Sequence, residues 1–194
     1  MSSMYIFLII LMVLTIWIII KSGTNNLVSI KSQYDNEYYM VRDVEDKQVA
    51  ANLLAKIRQT IFDITRYLYE NIDNYKNMKE HIMQLSNNIK NMDILESGED
   101  SSYTSYSVNK GEQVVFCLRS KENKNRLHRL NLLMYVVLHE MAHIACPEYG
   151  HTQLFKDIFA FITTEAIKLN YYTKIEFDKQ PEEYCGMSIT DSIV

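Results

Sequence analysis

The chain has 194 residues, a net charge of −4, and 47% hydrophobic against 23% charged residues. That length suits one compact domain with short attachments and excludes a multidomain machine. The composition excludes a disordered chain. With 20 basic against 24 acidic residues, no nucleic-acid partner is evident from bulk charge.

The first element in chain order is apolar. Met4 to Ile20 reads MYIFLIILMVLTIWIII, with Thr15 its one plainly polar side chain. At about 1.5 Å per residue this makes roughly 25 Å of helix, the short end of a bilayer span. Ser2 and Ser3 precede it and no Lys or Arg does, so it reads as an uncleaved transmembrane anchor rather than a signal peptide. Lys21, Lys31, Arg42 and Lys47 follow it, which by the positive-inside rule puts the remainder on the cytosolic side. Three cysteines, an odd number, and the lack of any Asn-x-Ser/Thr sequon agree with that side. No disulfide scaffold is expected, and Cys117 and Cys185 read as small buried hydrophobes.

Residues 21–43 are polar, lack steady periodicity and read as a linker. Residues 44–194 then form one α+β domain. Val49, Leu53, Ile57, Ile61, Ile64 and Leu68 recur at helical spacing, and Met78, Ile82, Leu85, Ile89 and Met92 repeat the pattern. Together they predict a helical hairpin. Glu96–Asp100 reads as a loop. Tyr103–Val108 and Gln113–Leu118 read as strands around a turn at Asn109-Lys110-Gly111-Glu112. The basic stretch Arg119–Arg129 is a solvated loop. Leu130–Ala145 and roughly 151–169 are helices, 171–178 is a short strand or extended tail, and the end from Glu183 is irregular.

One motif carries chemistry. His139-Glu140-Met141-Ala142-His143 is an HExxH sequence inside a predicted helix. At 100° per residue, the two histidines stand about 40° apart, one turn from each other, where two imidazoles can chelate one Zn²⁺. Glu140 lies about 60° from His143 and is placed to reach a metal-bound water. A hydrolytic zinc site needs a third protein ligand and an open position. His151 supplies it after a segment in which Pro147 stops the helix and Gly150 lets the chain reverse. Glu165, on the next helix, is the rival third ligand, at the spacing of a gluzincin-type peptidase. Cys146 lies too soon after His143 to displace His151.

The stretch Val137–Phe155, VLHEMAHIACPEYGHTQLF, resembles the HExxH-(x)n-GH-xx-F arrangement of the WLM and SprT-like zinc metallopeptidases. The soluble part, with FCLRS before the motif and EYCG after it, is also similar to membrane-anchored metallopeptidases of large DNA viruses, which makes a virion membrane an alternative location. The resemblance implies a minimal zincin-like fold: a helical hairpin, a small β-sheet and an HExxH helix behind the transmembrane anchor. It further implies zinc on His139, His143 and His151, with Glu140 as general base. An edge strand in such folds receives an extended peptide, so Val114, Val115 and Phe116 are expected to flank the cleft. Tyr149 and Tyr184 are the candidates for stabilising the oxyanion. The expected function is a membrane-anchored zinc endopeptidase acting on a protein or peptide. A structural membrane or virion protein that keeps the fold without turnover is the alternative.

Overall fold

The segment expected as a linker begins the sheet. Tyr39 and Val41 are buried in Tyr38–Arg42 (β2) while Tyr38 and Met40 are exposed, the period-two pattern of a half-buried strand. It pairs antiparallel with Leu27–Lys31 (β1), from Leu27↔Arg42 to Lys31↔Tyr38. A computed structural model describes residues 27–123 and 126–194, together with Tyr5 and Met12. The linker reading therefore gives way over β1 and β2.

Lys47–Glu70 (α1) follows and buries Ala50, Leu54, Ile57, Ile61, Ile64 and Leu68 along one stripe. Two short 3₁₀ turns lead to Lys79–Asn88 (α2), which buries Ile82 and Leu85. The expected helical hairpin is thus present. Asp93–Glu96 (β3) forms a strand where no element is expected, and it takes in Glu96, the first residue of the expected loop. Tyr106–Val108 (β4) and Gln113–Phe116 (β5) make the predicted hairpin. The sheet order is β1-β2-β3-β5-β4. β2, β3 and β5 run parallel, and each edge strand is antiparallel to its neighbour.

Leu130–Ala145 (α3) packs against α1, α2, β4 and Gln153–Lys168 (α4). The end of the chain is not irregular: Glu182–Tyr184 (β6) and Met187–Ile189 (β7) form a second hairpin. Cys185 and Gly186 turn it, at φ 53° and 84°, both in the left-handed region that a tight hairpin requires. Residues 171–178 contribute no strand.

Two expectations need correction. The fold is α+β, but a minimal zincin-like domain behind a transmembrane helix is not what is found. The sheet is five-stranded and mixed, and no helix among the described residues is long and apolar enough to cross a membrane. The apolar run Met4–Ile20 lies outside the described residues apart from Tyr5 and Met12. Cys117 and Cys185 are not separate thiols. They form a disulfide across 68 positions of sequence, with Cα atoms 6.3 Å apart, and Cys146 is the free, buried cysteine. The bond staples the β6–β7 hairpin to the end of β5. It also removes the cysteine argument for a cytosolic location, because disulfides persist in oxidising compartments.

A buried charge cluster ties the strands to the loop before α3. Glu96 is fully buried at the end of β3; its Oε2 accepts from the Arg42 backbone N–H at 2.8 Å and its Oε1 from Arg119 Nε at 2.6 Å. Arg42 also donates to the carbonyls of Ser97 and Gly98, and Arg119 reaches Asp46 at 2.6 Å. Removing one member of a buried ion cluster strands the others, at about 3–5 kcal/mol. Glu96→Ala should therefore lower the unfolding free energy from urea denaturation by that amount, seen as a lower midpoint. Lys79→Ala, which breaks the exposed pair with Asp73, should cost less than about 1 kcal/mol. Equal midpoints for the two variants would show that the cluster carries no special stability.

Candidate metal centre

α3 is apolar over most of its surface and is enclosed accordingly. Between Leu132 and Cys146, His139 and His143 are the two side chains that are not buried. They face one gap, one helical turn apart. The chain leaves α3 through Cys146 and Pro147, reverses at Gly150 with φ 77°, and delivers His151 to the same gap. Thr152 caps α4 immediately afterwards, its Oγ1 accepting from the Phe155 N–H at 3.3 Å. That cap aims Phe155 back at the histidines.

The three Nε2 atoms form a near-equilateral triangle, each 3.1 Å from the other two. A tetrahedral ion that binds nitrogen at about 2.0–2.1 Å requires neighbouring ligand atoms roughly 3.3 Å apart, so the triangle fits such an ion. Among the described residues this is the one cluster of three or more His, Cys, Asp or Glu side chains with ligand atoms close enough to share a metal. The charge states agree. Burial, followed by the neighbouring imidazoles, holds His139 down to about 3. Burial, then His151 and Lys110, holds His143 down to about 4. Both rings are therefore neutral at pH 7, the form that binds a metal.

Phe155 braces the set. Its ring stacks on His143 at 4.2 Å and meets His139 and His151 at 5.0 and 4.9 Å. Phe159 adds an edge contact to His139 at 5.3 Å. Neither is singled out by the sequence; the available signal for Phe155 is its place in the first turn of α4, just after His151.

Glu140 is buried, and burial alone pushes its carboxyl up to about 7. It lines a cleft of about 780 Å³ with His139, His143 and His151. Tyr184 lines the same cleft, and its hydroxyl shares a 2.5 Å hydrogen bond with Ser105 Oγ. Burial pushes the Tyr184 phenol up, and the charge of Glu140 adds to that. Ser105 Oγ in turn accepts from the Cys117 N–H at 3.0 Å, so sheet backbone fixes the pair. Tyr149 is 86% exposed at the rim, beneath Lys110.

Other expected residues fall elsewhere. Val114, Val115 and Phe116 are buried in β5 and do not line the cleft. β4 lies outside β5 and takes the edge position expected of it. Glu165 is buried away from the triad, accepting from Tyr75 Oη at 2.8 Å and Lys168 Nζ at 2.7 Å, which removes it as third ligand. Cys146 is buried and outside the cluster. The cleft offers three convergent imidazoles, a carboxyl of raised pKa and a clamped phenol around one open space.

No protein-family model matches the chain, and no solved structure matches it. It is 39% identical over 187 residues to an uncharacterized protein of Acanthamoeba polyphaga mimivirus, covering 96% of this chain and 94% of that one. It is 38% identical over 69 residues to an uncharacterized protein of Invertebrate iridescent virus 6, covering 35% of this chain and 38% of that protein. A further uncharacterized protein, from Invertebrate iridescent virus 3, is 38% identical over 86 residues, 44% of this chain and 50% of its own length. All three relatives are viral, and at that identity over nearly its whole length the chain belongs to the family of the mimivirus protein.

Proposed function

We propose that this protein is a zinc-dependent endopeptidase. The observation that carries the reading is the triangle of Nε2 atoms at 3.1 Å beside the buried carboxyl of Glu140, at the wall of an open cleft. The resemblance of Val137–Phe155 to the WLM and SprT-like zinc metallopeptidases supports the same reading. His139, His143 and His151 would hold the ion. Zinc in such a site supplies Lewis acidity, which acidifies water and polarises a carbonyl.

The chain's own groups supply the rest. Glu140 takes the proton from the attacking water and returns it to the leaving amine. A carboxyl lifted to about 7 by burial suits both halves of that exchange near neutral pH. Tyr184 offers its hydroxyl to the oxygen that gains charge during attack, and Ser105 keeps that hydroxyl in place. The substrate backbone pairs with β4, whose Tyr106 and Ser107 line the cleft and whose other side is already paired with β5.

Two measurements check this reading. The full chain should bind about one zinc per molecule, by the count of one three-histidine site. His139→Ala and His143→Ala should each lose it, and undiminished zinc in both variants would sink the site. Glu140→Gln should keep the metal but lower cleavage of a peptide library by about 10²–10⁴-fold. If the wild type binds zinc and cleaves nothing in the library, the non-catalytic reading replaces the peptidase.

A further inference from the structure

We propose that Lys110 is a positioning residue that holds His151 in the metal triad by gripping the backbone of the segment between His143 and His151. The inference rests on the metal reading above. His139 and His143 are fixed by a buried helix. His151 is not: it is exposed, and so are Pro147, Glu148, Tyr149 and Gly150 before it. A Cβ at Gly150 would meet nothing within 4 Å, so side-chain packing does not locate the chain there.

Hydrogen bonds do. Lys110 Nζ donates to the carbonyls of Cys146 and Glu148 at 2.7 Å each and to that of His143 at 3.3 Å. It also lies 4.5 Å from the Tyr149 ring centroid. His81, Gln84 and Asn88 bond the carbonyls of Ala145 and Ile144, at the helix end itself. Lys110 reaches further, to Glu148, three residues before His151.

The β4–β5 turn is shaped for this reach. Asn109, Lys110 and Gly111 have φ of 48°, 57° and 111°. Two successive non-glycine residues in the left-handed region are uncommon, and such backbone persists where its surroundings over-determine it. Gly111 lies so close to α3 that a Cβ would come 3.0 Å from Ile144 Cγ2. The turn is thus pressed against the end of α3, with Lys110 laid across the departing chain.

The sign of the effect separates positioning from charge. A lysine beside a divalent cation repels it, so a purely electrostatic role predicts tighter zinc binding once the charge is removed. Positioning predicts the opposite. In the full chain, Lys110→Met should raise the zinc dissociation constant about 10–100-fold in chelator competition, the usual scale for groups supporting a ligand. Lys110→Arg, which restores donors, should lie closer to wild type. In a His151→Ala background, Lys110→Met should add nothing further, because its effect passes through His151. Wild-type protein that binds no zinc would remove the metal reading and this inference with it. Wild-type protein that binds zinc, with Lys110→Met equal or tighter, would overturn this inference alone. So would full additivity with His151→Ala, or a lower melting temperature of the metal-free variant with unchanged zinc affinity.

Discussion

α3 meets water almost only at His139 and His143 and at its first turn, and the rest of the molecule is arranged around that constraint. A helix that is apolar over most of its surface must be enclosed, so α1, α2, α4 and β4 surround it. Enclosure extends to its C-terminal end, where the last carbonyls of a helix lack partners within it. Side chains from α2 and from the β4–β5 turn supply them: Gln84 and Asn88 to Ile144, His81 to Ala145, and Lys110 to His143. The helix is thereby fixed along its length and at its tip. The two histidines in its single gap share that fixity, and a metal ligand gains from being held before the metal arrives.

What the sequence disclosed was what local spacing decides. The apolar stripe of α1 and the one-turn step from His139 to His143 follow from helical periodicity. His151 was legible because Pro147 and Gly150 dictate a stop and a reversal nearby. Pairing between distant segments was not legible. β1 and β2 are five residues each, so only their pairing with each other, and that of β2 with β3, distinguishes them from a tether. β3 is four residues long, too few for a pattern. The β6–β7 hairpin turns on Cys185-Gly186, where Asn-Gly or Asp-Gly is the familiar signal. Its glycine was the available clue.

The same limit explains the misplaced site residues. Val114, Val115 and Phe116 suit a cleft wall by sequence because they precede the motif helix. Which of two antiparallel strands lies at the edge depends on whether β3 pairs with β4 or β5, and residue pattern does not decide that. Glu165 sits on the helix that follows His151, so sequence distance admitted it. Tyr75, arriving from the turn after α1, claims its carboxylate instead. Phe155 is a core residue whose neighbours are three imidazoles.

The disulfide has a consequence for the order in which the cleft is completed. His139, Glu140, His143 and His151 lie within one helix and the loop that leaves it, so contacts close in sequence bring them together. Tyr184 reaches the same cleft from a hairpin that is tied across 68 positions of sequence, Cys185 to Cys117. Contacts close in sequence form in microseconds, whereas disulfide formation takes seconds to hours. Covalent attachment of the hairpin that carries Tyr184 is thus slower than formation of the α3 helix itself. The covalent lock on the Tyr184 side of the cleft is therefore set by thiol oxidation, whereas the histidine side rests on non-covalent contacts.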